Sequence, residues 1–129
     1  MSTDTRSLPV YPALQLSLAM SGVQVLRRPR PVYRSVFRVN ICNTGTHPVQ
    51  LLGRKWILRE RNGNTRIVEA SKIFNESPIL APGAVFTTSG TQEFDTPPVA
   101  MELRLFGTDD AGIPFISEPL RFPRSCFQR

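Results

Sequence analysis

The sequence predicts an all-β fold, an antiparallel sandwich of about seven short strands. Three observations carry that expectation. Twelve prolines and eight glycines are scattered through 129 residues between short apolar runs, which argues against long helices. Several of those runs place large apolar residues at every second position, as a strand with one buried face requires. Turn signals recur about every 8 to 12 residues, with no helical stretch between them.

The signals are densest from Val49 to Gly63. This stretch holds the only tryptophan, Trp56, and ends on Asn62-Gly63, a dipeptide that tolerates positive φ at both central positions of a type I′ turn. Thr65-Arg66-Ile67-Val68 is the expected return strand. Val49 to Leu52 is nearly continuous apolar sequence, whereas Trp56 to Arg61 mixes apolar and charged residues. The strand is therefore expected to enter the core at its start and meet water near the turn, with Trp56 as packing rather than chemistry.

In chain order, Leu14 to Met20 alternates as the first strand, and Gly22 is expected to bend or end it. Pro29 and Pro31 mark an irregular connection that cannot lie in mid-sheet. Tyr33, Phe37, Val39 and Ile41 then fall on one side of a strand, with Arg34, Arg38 and Asn40 on the other. Asn43 to Pro48 is a turn, and Glu69 to Pro78 lacks a period and is expected as a loop. Pro82-Gly83 suits the centre of a type II turn, leading into a strand from Val85 to Ser89 that Gly90 ends. Val99, Met101, Leu103 and Leu105 form a second clear alternation. Asp109 to Gly112 makes a hairpin turn into Ile113 to Phe122, where Pro114 and Pro119 confine the last strand to an edge or break it.

The length fits one domain with a sizeable core. The expected boundaries are a tail over 1–12, the sandwich over 13–123 and a tail over 124–129. Cys42 and Cys126 are too few and too far apart for a disulfide framework or a zinc site, and are expected as free thiols in a reducing, intracellular compartment, either cytoplasm or an organelle matrix. No run of 18 or more apolar residues predicts a membrane span, and the first 25 residues lack the apolar core of a secretory signal.

The net charge of +6 is unevenly placed. Residues 1–64 hold ten basic and two acidic side chains, and residues 65–129 hold six and eight. Arg27, Arg28 and Arg30, followed by Arg34 and Arg38 two strand periods apart, gather guanidinium groups near one sheet face, with Arg54 and Lys55 as candidate neighbours. Such a patch suits phosphates or an acidic protein; the alternative is an ordinary solvated face.

The residues also resemble a known family, the ApaG domain. The resemblance rests on Val49-Gln50-Leu51-Leu52, Arg54 with Trp56, Asn62-Gly63, Pro78-Ile79-Leu80-Ala81-Pro82-Gly83, Phe86, Thr88-Ser89-Gly90, Met101, and Asp110, Gly112 and Phe115, in the family's order from about Val32 to Phe122. It implies a fibronectin-type-III or immunoglobulin-like sandwich. Family members occur as small bacterial proteins linked by name to cobalt and magnesium handling. They also occur as domains in an F-box protein and a DNA-polymerase-interacting protein, where they look like protein-binding modules.

The departures from the family are specific. Many bacterial members carry a G-x-G-x-x-G loop, proposed to hold a pyrophosphate-like group, and its three glycine places fall here on Ala70, Lys72 and Asn75. Close backbone approach to an anion needs glycine, so that cradle is lost, and Lys72 remains as a weak anion-binding candidate. The histidine common between the family's Arg and Trp is Lys55, and the family's acidic connection after the first strand is short and arginine-rich.

No catalytic constellation is evident. His47 beside Pro48 is the only histidine, Ser89 lacks a nucleophile-elbow setting, and Asp109-Asp110 suits a hairpin cap. No catalytic residue, metal ligand or cofactor is expected. The expected function is a non-catalytic protein-interaction module, an accessory subunit of a larger complex. Partner-binding candidates are Arg27, Arg28, Arg30, Arg34, Arg38, Arg54 and Lys55. Two alternatives stand beside it: contact with RNA or DNA phosphates in a ribonucleoprotein, and a small-anion or divalent-cation role like that of the bacterial relatives.

Overall fold

The computed structural model describes residues 8–27, 29–72 and 76–128. In chain order the strands are β1 (Val10–Tyr11), β2 (Leu14–Leu26), β3 (Val32–Asn43), β4 (Val49–Glu60), β5 (Thr65–Ala70), β6 (Ile79–Leu80), β7 (Val85–Phe94), β8 (Pro98–Asp109), β9 (Pro114–Ser117) and β10 (Leu120–Arg121). A 3-10 turn, Arg124–Phe127, follows. Seven of the strands have four residues or more, in line with the expected number.

The strands form two sheets packed as a sandwich. One has the order β1-β9-β8-β4-β5, with β10 beside β8 and β6 beside β4; the other is β2-β3-β7. The pairings are antiparallel except that β1 runs parallel to β9, with Val10 opposite Ile116. Ordered pairing thus extends outside the expected 13–123 span: Val10–Tyr11 joins the sheet, and Cys126 and Phe127 pack against the core. Among the described residues no helix is long and apolar enough to cross a membrane.

The core follows the alternations. Phe37, Val39 and Ile41 of β3 face Trp56 and Leu58 of β4 and Met101, Leu103 and Leu105 of β8, all buried. Trp56 is fully buried, with its ring centroid 4.9 Å from that of Phe37 and 5.8 Å from that of Phe122. These three rings, from β3, β4 and the segment after β10, bind the sheets together through edge and tilted contacts.

Three register slips account for departures from the sequence reading. Each leaves one residue unopposed, and a bulge of this kind shifts the alternation by one. At Ala19 the inward residues of β2 change from Leu14, Leu16 and Leu18 to Ser21, Val23 and Val25, so the strand passes through Gly22 to Leu26 rather than ending there. At Leu52 the side chain is thrown outward from an otherwise buried run, and at Val99 the same happens opposite Arg59 and Glu60. Gly90 likewise does not end β7; it sits opposite the buried Phe37, and the strand continues to Phe94.

The hairpin after β4 also differs from expectation. The Gly63 amide donates to the Glu60 carbonyl at 3.0 Å, which places Arg61 and Asn62 at the turn centre and Gly63, with φ of 91°, after it. This is a three-residue loop closed by a left-handed glycine, one residue earlier than a type I′ turn. The Asn62 side-chain oxygen accepts from the Asn64 amide at 3.0 Å, which favours this form. Asp109 to Ile113 repeats the pattern, with Gly112 at φ 79° and the Asp109 carboxylate accepting from the Ala111 and Ile113 amides, each at 2.9 Å. The Pro82-Gly83 turn is as expected: Ala84 donates to the Ala81 carbonyl at 2.9 Å and Gly83 has φ of 81°. Glu69 and Ala70 belong to β5 rather than to the loop after it.

Gly107 is constrained by packing, since a Cβ there would lie 2.7 Å from the Phe115 ring and closer still to the Gln50 carbonyl. Gly107→Ala is expected to cost about 1–3 kcal/mol through forced backbone movement. Trp56→Ala is expected to cost about 3–5 kcal/mol through loss of the central ring. Urea unfolding reads both as a lowered midpoint at unchanged slope.

Candidate functional site

The expected arginine surface divides between the two sheets. Arg34 and Arg38 project from the outer face of β3, in the three-stranded sheet. Arg38 lies in a row with Met20 and Ser89, and Arg34 in a row with Gln24 and Glu93. The Arg34 guanidinium is 3.3 Å from the Glu93 carboxylate, while Arg38 is exposed and has no ion pair among the described residues. Arg27 and Arg30 are exposed in the connection that leads into β3; Arg28 lies outside the described residues.

Arg54 and Lys55 do not adjoin them, because β4 belongs to the opposite sheet. Lys55 sits opposite Glu69 and Arg104, in the phase opposite to Trp56. Arg54 shares the inward phase of Trp56 and donates from Nη1 to the Lys72 carbonyl at 3.0 Å; burial lowers its pKa from the ordinary value. The spacing of Arg34 and Arg38 is readable in the sequence, but which sheet receives β4 is a tertiary fact.

Of the three places expected for a glycine-rich loop, Ala70 closes β5. Its carbonyl lies so near Gly53 that a Cβ there would be 2.6 Å away. Lys72 is exposed, and Asn75 lies outside the described residues with Ile73 and Phe74. His47 is exposed, with Nδ1 3.3 Å from the Asp110 carboxylate. Ser89 stands on the outer face of β7 beside Arg38. Cys42 and Cys126 are free thiols. Among the described residues no three His, Cys, Asp or Glu side chains converge. The outward Leu52 borders a cleft of about 380 Å³, lined also by Leu8, Gly53, Ala70, Phe106 and Pro114.

A feature that the sequence reading left undeveloped is the edge formed by β7. This ten-residue strand pairs with β3 in unbroken register from Cys42 opposite Val85 to Tyr33 opposite Phe94, and among the described residues no strand pairs with its other side. Two hydrogen bonds fix which backbone groups point outward. The Ala84 carbonyl turns toward β3, accepting from the Asn43 amide at 3.1 Å. The Glu93 carbonyl turns away, accepting from Arg66 Nη2 of β5 at 2.7 Å. Period-two alternation between these anchors leaves the N–H and C=O groups of Val85, Thr87, Ser89 and Thr91 directed away from β3.

Protein edges are ordinarily guarded by lysine, proline, bulges or brevity. The strand β2 has its bulge and lies against the 3-10 turn, β1 has two residues, and β5 carries Arg66, whose guanidinium crosses to β7 and lies 5.4 Å from the Phe94 ring centroid. Within β7 there is no proline, lysine, arginine or bulge. The hydroxyl-rich run Thr87-Thr88-Ser89 was visible in the sequence as strand, whereas Thr91 lay past the stop expected at Gly90 and the edge position was not visible at all.

A two-sheet antiparallel sandwich with these crossings is of the fibronectin-type-III or immunoglobulin-like kind. Residues 26–104 match the model of the ApaG domain, and the chain belongs to that family. It is 33% identical over 104 residues to Protein ApaG of Methylococcus capsulatus, covering 78% of this chain and 82% of the relative. It is 34% identical over 94 residues to Protein ApaG of Chromobacterium violaceum, covering 73% and 67% respectively. The crystal structure of an ApaA protein from Bordetella pertussis superposes with a TM-score of 0.69 at 27% identity, over 88% of this chain and 94% of that one. The X-ray structure of the structural-genomics target SoR45 gives 0.76 at 21% identity, over 85% and 86%, a likeness of fold alone.

Arg34→Ser and Arg38→Ser, both on the outer face, are expected to change unfolding free energy by less than about 0.5 kcal/mol. Arg66→Ala is expected to cost about 1 kcal/mol, since it removes a hydrogen bond and a ring contact between sheets. Parallel urea titrations of the three variants check the contrast.

Proposed function

We propose that this chain is a non-catalytic protein-interaction module, an accessory subunit of a larger assembly, which takes up an extended segment of a protein partner along β7. The observation that supports this reading is the edge of β7, unpaired among the described residues and, from Val85 to Thr91, free of proline and charge. Backbone groups directed outward along such an edge give an added strand its hydrogen bonds, and they do so without demanding a particular sequence. A stretch of edge like Val85 to Thr91, which carries no charge and no proline, invites aggregation unless a partner covers it.

The phosphate-binding reading draws on Arg27, Arg28, Arg30, Arg34 and Arg38. The shared outer face of Arg34 and Arg38 favours it, and the Arg34–Glu93 ion pair weakens it by neutralising one of the two. One experiment separates the readings: recovery of partners on the tagged chain from its own cell lysate at about 150 mM salt, with and without nuclease. Partners are expected to persist after nuclease and to be lost with Ser89→Pro. The Ser89 N–H points away from β3, so proline removes an outward donor while sparing the ladder. Nuclease-sensitive recovery that Arg27→Ser, Arg30→Ser and Arg38→Ser abolish, with Ser89→Pro silent, would replace the edge reading with phosphate binding.

A further inference from the structure

Resting on that reading, we infer that the segment accepted by β7 is an acidic one, in which a carboxylate facing Ser89 is selected by Arg38 and lies next to a large apolar residue that enters the sandwich beside Gly90. Neighbouring strands lie about 4.8 Å apart, so an added strand would stand about two spacings from β3. On the outer face its side chains would continue the rows that cross β3 and β7. In the row of Arg38, the β7 residue is Ser89, whose short side chain leaves the way open for a guanidinium to reach a carboxylate on the added strand.

The flanking rows do not offer the same charge. Arg34 is held by Glu93 at 3.3 Å, and the exposed Glu93 carboxylate repels a second acid beside it. Thr87 donates to the Asn40 side-chain oxygen at 2.8 Å, so that row is internally satisfied and neutral. Thr91 stands beside the half-buried Val36. Of the four outward rows from Thr87 to Glu93, the row of Ser89 alone presents a cation with no ion pair among the described residues.

The next position of the added strand would face the core. There β7 contributes Gly90, which carries no side chain, opposite Phe37. Phe37 packs at a tilt against Trp56, and Trp56 pairs in register with Val68 of β5, whose side chain is only partly buried. An apolar side chain beside Gly90 would cover Val68 and the rim of the aromatic cluster. The recognised unit is thus an extended run with an acid adjacent to a large apolar residue. Basic character weighted toward residues 1–64 complements it.

The test uses the full chain and fluorescein-labelled nonapeptides of alternating threonine and valine that carry Glu, Gln or Lys at the central threonine position. The Glu peptide is expected to bind about three- to tenfold more tightly than the Gln peptide and more tightly still than the Lys peptide. Arg38→Glu is expected to reverse that order. N-methylation of one alternate set of peptide amides is expected to abolish binding and methylation of the other set to spare it. Equal affinity for the three peptides, or an order unchanged by Arg38→Glu, overturns acid selection while leaving strand addition intact. Indifference to both N-methylation sets and to Ser89→Pro overturns the edge site itself, and the acid selection with it, as does failure of all three peptides to bind at millimolar concentration.

Discussion

The structure depends most on how Asn43 is satisfied at the end of β3. The residue is fully buried, where an unpaired amide would be costly, and each of its hydrogen-bonding groups is used. Its Nδ2 donates to the His47 and Leu80 carbonyls at 2.8 and 3.0 Å, and its Oδ1 accepts from the Gly45 amide at 3.0 Å. Its backbone donates to the Ala84 carbonyl and accepts from the Gly83 amide at 2.7 Å. The side chain thereby closes the crossing from β3 to β4 and ties β6 of one sheet to β3 of the other, while the backbone of the same residue holds the Pro82-Gly83 turn that launches β7. The Ala84 contact also fixes the parity of β7, which decides which of its backbone groups face outward.

At the other end the same task falls to charged side chains. The Glu60 carboxylate accepts from the Asp95 and Thr96 amides at 2.9 and 3.0 Å, holding the turn between β7 and β8 against the β4–β5 hairpin. Arg66 bridges β5 to β7 beside it. Hydrogen bonds hold β7 at both ends, yet the outer side of its middle is unopposed among the described residues. An edge held at both ends is better preorganised for strand addition than a loose one, because less ordering entropy opposes binding.

The period-two alternations of β3 and β8 were legible because their inward faces are buried along most of their length, and the sandwich class followed from them. Three things were not legible. Bulges at Ala19, Leu52 and Val99 reverse the phase, and nothing in composition distinguishes them from regular strand. Gly22 and Gly90 read as stops, because a glycine weakens a strand in isolation; pairing with β3 that continues before and after each glycine carries the chain through. The arginine cluster was read along the chain, whereas Arg34 and Arg54 belong to different sheets and point to different surroundings. Asn43 was read as a turn residue, and its buried role emerges only from what Leu80 and Ala84 bring to it.

Backbone pairing at an edge is nearly blind to sequence, so a module that works this way needs a separate element of choice. The outward side chains of β7 are mostly small and neutral: Val85, Thr87, Ser89 and Thr91, with Glu93 at the end. They supply little discrimination themselves. Placing the charge one strand inward, on β3, leaves the edge free of the lysine or arginine that would deter pairing and still allows a long side chain to reach over it. Two arginines occupy such positions, and their difference lies in what stands in front of them. Glu93 is long and acidic and engages Arg34; Ser89 is short and leaves Arg38 available. The selectivity proposed for this edge therefore resides less in the arginines than in the two β7 residues between them and solvent.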